Sequence, residues 1–353
     1  MKSNYYSCIS IDGRRIGIDE PPYIVAEISA NHNGSIKTAR KIIEAAKQSG
    51  ADAVKIQTYR PDTITIDCDR ETFRIQGGLW DGRTLYELYE EAHMPWEWHA
   101  PLFEYARKLG ITIFSSPFDN TAVDLLEDLN APAYKIASFE LVDLPLIKYV
   151  AATGKPMILS TGMADVEEIQ EAIVATREGG CKELAILHCV SGYPAPAEDY
   201  NLRVIPDMIQ RFGLVTGLSD HTLDNTTAIT SIAMGVSIIE KHFSLNRNGG
   251  GPDDSFSLEP EDLKQLCKQT RMAWESLGKV NYERKTSENE NVKFRRSLYV
   301  VKDIKAGETI TRENIRSIRP GYGLAPKFYD RVIGRAVSRD IRFGTPLSLE
   351  DLD

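Results

Sequence analysis

Eight short apolar runs, each followed by a longer amphipathic stretch, occupy the sequence from Tyr23 to about Leu277. The runs are YIVAEIS, AVKIQT, ITIFSSP, AYKIAS, PMILST, LAILHC, VTGLSD and SIIEKHF. Each is nearly continuous in apolar residues before a polar end, as strands buried on both faces require. Helical patterns lie between them at Ile36–Gln48, Glu97–Lys108, Thr121–Leu129, Val166–Arg177, Leu202–Phe212, Thr226–Met234 and Glu259–Leu277. This alternation predicts an α/β fold with a closed parallel (β/α)8 TIM barrel, with an open doubly wound sheet as the alternative.

The chain is long enough for a second, smaller domain. Its 353 residues exceed the roughly 250 of a typical barrel. We expect a catalytic barrel over residues 1–278, a polar linker over 279–294 and a compact, mostly β or mixed module over 295–353. Within that module, KAGETITRENI predicts a turn followed by a short helix.

The composition restricts the classes of partner. A formal net charge of -9 gives no electrostatic footprint for nucleic acid or an anionic membrane. The N-terminus, MKSNYYSCIS, lacks the apolar run of a secretory signal, and no stretch approaches the roughly 18 apolar residues of a membrane span. Five cysteines without a CxxC pair favour free, mostly buried thiols and a cytoplasmic location.

Two lysines stand inside otherwise apolar strands. Lys55 and Lys135 would be costly there unless each meets an anion. One interpretation is an anionic ligand carrying phosphate and carboxylate groups, because nearby strand ends also supply hydroxyls. The hydroxyls are those of Ser116, Ser138 and Ser160. The alternative is a structural ion pair with Glu27 or Glu240.

Two histidines end neighbouring strands. His221 and His242 are 21 residues apart, which fits one strand–helix unit and not a zinc finger. Carboxylates nearby in the sequence are Asp220, Glu240 and Asp253. The pair predicts a site for Mn²⁺, Mg²⁺ or Co²⁺ with positions left open for water and substrate, and a packed core histidine is the alternative. His32 and His188 are weaker candidates that would equally suit a supporting hydrogen bond.

These residues fall in motifs that resemble the sialic acid synthase family. The motifs are AEISANHNG, VKIQT, SSPFD, YKIAS, LSTGM, HCVSGYPAP, GLSDHT, EKHF and a GPD tripeptide. The tail, SLYVVKDIKAGETITRENIRSIRPGYGL, resembles that family's antifreeze-like (SAF) domain. The resemblance implies a metal-dependent, phosphoenolpyruvate-dependent nonulosonate synthase. It also implies a domain-swapped homodimer in which the SAF domain covers the partner's barrel.

Three segments resemble the pseudaminic acid synthases within this family. They are LWDGRTLYELYEEAHMPWEWH, KIASFE and GGGPDDSFSLEP, whereas N-acetylneuraminate synthases more often have KIASG and an Asn in place of Ser191. This branch implies 2,4-diacetamido-2,4,6-trideoxy-L-altrose as the sugar, and a product used for a cell-surface glycan or for flagellin glycosylation. Alternatives are N-acetylneuraminate or legionaminic acid synthesis and, more remotely, a non-catalytic sugar-binding protein.

The resemblance also implies a mechanism and roles for individual residues. Carbon 3 of phosphoenolpyruvate attacks the open-chain sugar aldehyde, water adds at carbon 2, and phosphate leaves by C–O cleavage. Residues matching the phosphoenolpyruvate site are Lys55, Ser116, Lys135, Ser138, Ser160, Ser191 and Tyr193. Glu27 and Glu140 are candidates for proton handling, and His221 and His242 for holding the metal. Residues expected at the sugar are Gln57, Phe139 (against a 6-deoxy methyl), Asp253 and, from the partner subunit, Arg319.

Overall fold

The computed structural model describes residues 8–353, and within them no helix is long and apolar enough to cross a membrane. The chain divides into two compact units. The first ends at Gly278, and the second spans Lys279–Asp353.

A short hairpin precedes the barrel. Its strands, β1 (Cys8–Ile11) and β2 (Arg14–Gly17), pair antiparallel around an Asp-Gly turn. Both turn residues have positive φ, 50° for Asp12 and 79° for Gly13, as a two-residue hairpin turn requires. The isoleucines of the hairpin pack with Tyr23, Phe114 and other residues near the starts of the barrel strands. The hairpin therefore closes the N-terminal end of the barrel.

Eight parallel strands form the closed barrel, which confirms the predicted fold. They are β3 (Tyr23–Glu27), β4 (Ala53–Thr58), β5 (Thr112–Pro117), β6 (Tyr134–Ile136), β7 (Met157–Ser160), β8 (Leu184–Cys189), β9 (Val215–Asp220) and β10 (Ile238–His242). Each pairs with its neighbour in the chain, and β10 closes the ring on β3. In that pairing His242 lies beside Glu27, and Glu27 lies beside Lys55 of β4. Closure thus brings polar strand ends from both ends of the sequence together.

The predicted helices are present with ends shifted by a few residues. The helices of the first unit are α1 (Ile36–Ser49), α2 (Pro61–Ile64), α3 (Leu85–Ala92), α4 (Trp96–Leu109), α5 (Asn120–Asp128), α6 (Leu144–Ala151), α7 (Val166–Glu178), α8 (Val204–Phe212), α9 (Thr226–Ile232) and α10 (Pro260–Leu277). The sequence patterns did not indicate α2, α3 or α6. Helix α3 starts with a capping box in which Thr84 and Glu87 satisfy each other's backbone N–H groups.

The second unit is small and built from short pairings around its own core. Strands β11 (Ser297–Val300) and β12 (Ile315–Ile318) pair antiparallel, and one short helix, α11 (Tyr329–Val332), follows. The core comprises Leu298, Val300, Ile304, Ile310, Ile315, Val332, Val337, Ile341 and Leu347. A 3-10 helix, Thr286–Phe294, occupies part of the stretch expected to be a linker.

One local prediction in this unit is wrong. The turn in KAGETITRENI is present, but the short helix expected after it is a turn that leads directly into β12. The Asn314 side chain accepts a hydrogen bond from Thr311 N at 2.8 Å, and Thr311 Oγ1 accepts one from Glu313 N at 3.3 Å. These side-chain hydrogen bonds satisfy backbone N–H groups of the turn, and they compete with the hydrogen bonds that a helix would form.

The hairpin packing generates a stability prediction. Ile11 is fully buried at the closed end of the barrel, so Ile11→Ala should lower the free energy of unfolding by about 2–4 kcal/mol. Ile18→Ala is the matched control, because Ile18 is 57% exposed and should change stability by less than about 1 kcal/mol. Chemical denaturation measures both. Equal effects would contradict a structural role for the hairpin.

Candidate active site

One cavity of about 450 Å³ gathers the ends of six barrel strands and the loops after them. It is lined by Ser29, Gln57, Tyr59, Ile64, Ile75, Trp80, Leu85, Leu88, Tyr89, Ala92, Phe118, Ala137, Ser138, Phe139, Glu140, Ser191, Tyr193, His242, Pro252 and Asp253. The polar members come from strand ends and the loops that follow them. Most of the apolar members come from the segment between β4 and α4.

Buried charges of opposite sign meet beside the cavity. Lys55 Nζ lies 2.5 Å from Glu27 Oε2 and 3.7 Å from Glu240 Oε1, and Lys135 Nζ lies 3.7 Å from the same Glu240 oxygen. All four side chains are almost inaccessible to solvent. The ion pairs proposed as the alternative to a ligand site therefore exist. Neither lysine contacts carboxylates alone, since Lys55 also donates to Ser116 and Lys135 to Ser160.

The two lysines and two glutamates shift one another's pKa values. Burial raises the pKa of Glu27 to about 7, with Lys55 opposing the rise and Glu240 adding to it. Burial also disfavours charge on Glu240, but Lys135 and Lys55 hold its pKa below the ordinary value. Burial lowers the pKa of Lys135, whereas the pKa of Lys55 is raised because Glu240 and Glu27 outweigh its burial. A bound anion would favour the charged form of both lysines.

Two of the three serines predicted to accompany the lysines contact them. Lys55 Nζ donates to Ser116 Oγ at 3.3 Å, and Lys135 Nζ donates to Ser160 Oγ at 2.6 Å. Ser138 Oγ accepts from the N–H of Gly162 at 3.2 Å.

Gly162 was absent from the predicted set. A Cβ at this position would lie 2.3 Å from Ser191 Oγ and 2.8 Å from Ser138 Oγ, so only glycine leaves both hydroxyls in place. Ser191 Oγ is buried and has no hydrogen-bond partner. The two serines and the glycine thus form a compact group in which a polar atom is available to a ligand.

The two predicted metal ligands are neighbours. The ring centroids of His221 and His242 are 5.4 Å apart, and the Tyr193 ring packs 4.4 Å from that of His221. His221 Nδ1 donates to the carbonyl oxygen of Val190 at 2.8 Å. Burial disfavours the charged form of this ring, but Cys189 and the Val190 carbonyl raise its pKa above the ordinary value. Burial lowers the pKa of His242 well below its ordinary value, with His221 contributing, so this ring is neutral.

These residues fit a divalent cation with open coordination positions. His242 lines the cavity, and its buried Nδ1 has no hydrogen-bond partner. Between residues 8 and 353, no group of three or more His, Cys, Asp or Glu side chains is arranged to hold a metal. The protein would therefore supply two imidazoles, and oxygen ligands from water or substrate would complete the site.

Asp220, one of the carboxylates expected near the histidine pair, is bound by Lys241 of the neighbouring strand instead. Lys241 Nζ donates to Asp220 Oδ2 at 2.8 Å and to the carbonyl oxygens of Thr222 and Asp224, both at 2.8 Å. Because side chains alternate along a strand, these two residues turn away from the interior when Ser219, Glu240 and His242 face it.

The weaker histidine candidates are supporting residues. His188 Nε2 hydrogen-bonds to the carbonyl oxygen of Tyr200 at 2.5 Å. His32 accepts from Gly34 N at 3.2 Å through Nδ1, and its ring packs edge-on against Trp98. Neither lines the cavity.

A thiol beside the predicted metal ligand His221 was also absent from the predicted set. All five cysteines are free, and Cys189 is buried at the end of β8. Burial would raise the pKa of this thiol, but its hydrogen bonds with His221 and Ser138 and the charge of Lys135 bring the pKa below the ordinary value. No sequence pattern pointed to this contact, because His221 lies on the neighbouring strand.

Three of the residues predicted to meet the sugar, Gln57, Phe139 and Asp253, line the cavity. Gln57 Nε2 donates to Ser29 Oγ at 2.9 Å and to Glu27 Oε1 at 3.3 Å. Asp253 accepts from Ala30 N at 3.3 Å and lies 4.0 Å from His242 Nδ1. Phe139 is 59% exposed and lines the cavity.

Glu140 combines burial with an unpartnered oxygen. Its Oε2 has no hydrogen-bond partner, and burial raises the pKa of the carboxyl to about 7. Such a group can both donate and accept a proton near neutral pH. The position therefore suits the proton handling that the sequence predicted.

Arg319 belongs to the second unit, so its predicted role in a partner's active site stays a prediction. It is followed by Pro320 in a cis peptide bond.

Comparison with models of known protein families identifies the family of this chain. The model of the NeuB family matches residues 42–282, and that of the SAF domain matches residues 295–353. The chain belongs to the NeuB family. Both matches agree with the family that the sequence motifs indicated.

Individual relatives cover nearly the whole chain. A pseudaminic acid synthase from Helicobacter pylori is 46% identical over 95% of this chain and 98% of its own length. An N,N'-diacetyllegionaminic acid synthase from Campylobacter jejuni is 36% identical over 90% of this chain and 96% of its own. A solved N-acetylneuraminic acid synthetase from Leptospira borgpetersenii, in complex with citrate, superimposes with a TM-score of 0.73 at 28% identity, covering 83% of this chain and 98% of that one.

The raised pKa of Glu140 predicts a pH-dependent stability difference. Below pH 4.5, its ordinary pKa, the carboxyl is protonated in the folded and unfolded states. Between about pH 4.5 and 7 only the unfolded state loses the proton, so ionisation destabilises the parent as pH rises. The unfolding free energy of Glu140→Gln relative to the parent should rise over this window and level off, by on the order of 3 kcal/mol at most.

Denaturation at a series of pH values measures this difference. Glu198→Gln, an exposed carboxylate away from the cavity, is the control and should show no such trend. A pH-independent difference for Glu140→Gln would show that the carboxyl titrates normally.

Proposed function

We propose that this chain acts as a pseudaminic acid synthase, condensing phosphoenolpyruvate with 2,4-diacetamido-2,4,6-trideoxy-L-altrose to give pseudaminate and phosphate. The observation that carries the proposal is one region in which a lysine and serine group adjoins a histidine pair and an apolar-walled cavity. The greater identity to a pseudaminic acid synthase, 46% against 36% for a legionaminic acid synthase, supports this sugar over its rivals.

The lysine side suits phosphoenolpyruvate. This substrate carries a phosphate and a carboxylate, and the lysines Lys55 and Lys135 with their serine partners offer charge-assisted donors. Ser191 and Ser138 add hydroxyls around Gly162. Tyr193 connects this side to the histidines through its ring contact with His221. The enol carbon would thereby be held toward the sugar.

The histidine side suits the aldehyde end of the open-chain sugar. A divalent cation (Mn²⁺, Mg²⁺ or Co²⁺) bound by His221 and His242 would supply Lewis-acid polarisation of the aldehyde oxygen. Asp253 lies close enough to His242 to orient it or to bind a sugar hydroxyl. Gln57, anchored by Ser29, presents an amide on the same side.

Two carboxyls are our candidates for proton transfer. As carbon 3 of phosphoenolpyruvate bonds to the aldehyde carbon, the aldehyde oxygen gains a proton, and the water that adds at carbon 2 loses one. Glu27 and Glu140, both with pKa values near 7, can exchange protons at these positions. The tetrahedral carbon then expels phosphate with its bridging oxygen.

Phosphate release tests the proposal. With phosphoenolpyruvate, the chain should turn over the diacetamido-trideoxy-altrose in preference to N-acetylmannosamine and to the legionaminic acid precursor. ¹⁸O in the bridging C–O position should leave with phosphate. Preference for another sugar would reassign the substrate. Failure to release phosphate with every sugar, with metal present, would favour a non-catalytic binding protein. A Phe139→Gly variant that kept full preference for the 6-deoxy sugar would remove Phe139 from the methyl contact.

The metal assignment has its own test. His242→Ala should abolish calorimetric binding of Mn²⁺ and metal-dependent turnover while leaving the melting temperature within a few degrees of the parent. His93→Ala is the control, because His93 does not line the cavity. Mn²⁺ binding by His242→Ala at parental affinity would contradict the assignment.

The assembly is proposed from the resemblance to the family. We propose a cytoplasmic, domain-swapped homodimer in which Arg319 contacts the sugar in the active site of the partner subunit. If this is correct, mixing refolded Arg319→Ala and His242→Ala subunits should restore turnover in heterodimers, because one composite site is then intact. Absence of restored turnover in confirmed heterodimers would contradict the exchange.

A further inference from the structure

Helix α3 turns an apolar face toward the cavity. Its residues that line the cavity are Leu85, Leu88, Tyr89 and Ala92. Their spacing of three, four and seven residues places them on one side of the helix. Glu87, Glu90 and Glu91 face solvent on the other side. Apolar helix faces are ordinarily buried in a core, and this one borders an opening large enough for a small molecule.

Other apolar side chains extend this face into a wall. The Tyr59 ring contacts that of Tyr89 at 5.8 Å and that of Phe118 at 5.1 Å, both edge to face. Ile64 and Ile75 border the same cavity. We call these residues, together with the four on helix α3, the apolar wall. Its exposed area carries an unfavourable hydration free energy that a ligand with apolar groups would remove.

The segment that carries the wall is held in place. Ile75 N donates to Arg83 O at 2.8 Å, and Gly82 N donates to Ile75 O at 2.9 Å, which closes a small loop before α3. Trp80 Nε1 donates to the carbonyl oxygen of Pro252 at 3.2 Å, directly before Asp253. The wall is therefore fixed relative to the polar side of the cavity, as selection between similar substrates requires.

We infer that the apolar wall is the pocket that selects the acylamido group on carbon 4 of the sugar. The inference rests on the proposed function. The aldehyde, carbon 1, belongs on the His242 side, and the substituent on carbon 2 is its neighbour. Carbon 4 is three bonds farther along the open chain, so its substituent can reach the wall, which lines the same cavity as His242. The acyl methyl group would cover the wall, whereas a 4-hydroxyl would lose hydration there without an equivalent partner.

Two substitutions test the wall from opposite directions. Leu85→Ala enlarges the pocket and should raise the kcat/KM ratio of a 4-butanamido substrate over the 4-acetamido substrate by about tenfold or more. Ala92→Leu fills the pocket and should lower kcat/KM for the 4-acetamido substrate by about tenfold, while a 4-hydroxy analogue changes by less than about threefold. Both residues are partly exposed, so the fold should tolerate either change.

Leu79→Ala is the matched control, because Leu79 is in the same segment, is 51% exposed and does not line the cavity. It should leave every ratio unchanged. If Leu85→Ala and Ala92→Leu change all substrates equally, or alter selection only among acyl groups on carbon 2, the inference is wrong.

Measurements on the unmutated parent distinguish failure of this inference from failure of the proposed function. If the parent turns over the diacetamido sugar and the variants leave the kcat/KM ratios between substrates unchanged, only the inference is overturned. If the parent releases no phosphate with any sugar, the proposed function fails. Calorimetric affinities of the 4-acetamido, 4-butanamido and 4-hydroxy sugars then test the wall, because the predicted ratios apply to binding as well. Affinities that neither substitution changes would overturn the inference.

Discussion

The interior charge balance among Lys55, Lys135, Glu27 and Glu240 is the constraint on which the site depends. Placing two lysines inside a barrel is unfavourable unless carboxylates compensate them, and two carboxylates fully ionised in the same place would repel. The lysines hold the pKa of Glu240 below its ordinary value, whereas burial raises the pKa of Glu27 to about 7. Each lysine also donates to a serine hydroxyl, so an anionic substrate would meet both cationic and hydroxyl donors here.

Barrel closure brings the charged residues of the first and last barrel strands together. Glu27 comes from the first barrel strand and Glu240 from the last, and their strands are neighbours only because β10 pairs with β3. Strand alternation then sends Glu240 and His242 inward and Lys241 outward to Asp220. The hairpin closes the opposite end of the barrel, so the cavity has its polar groups and its opening on one side.

Much of this could be predicted because barrel strands have a strong, simple pattern. Buried parallel strands with polar ends indicated the fold and brought Lys55, Lys135, His221 and His242 to one end. The Asp12–Gly13 hairpin had a recognisable turn but only short flanking strands. The Cys189–His221 contact depends on neighbouring strands, and the inward or outward direction of Asp220 depends on register. The sequence motifs indicated the family, whereas the direction in which α3 faces required the packed structure.

Mass spectrometry of the product tests the central claim most directly. The claim is that the lysine and histidine sides hold phosphoenolpyruvate and an amino sugar so that a carbon–carbon bond forms between them. Incubation of the chain with phosphoenolpyruvate, Mn²⁺ and 2,4-diacetamido-2,4,6-trideoxy-L-altrose should yield a nine-carbon acid with the mass of the sugar plus pyruvic acid. A product that retains phosphate, or an unchanged sugar alongside intact phosphoenolpyruvate, would contradict it.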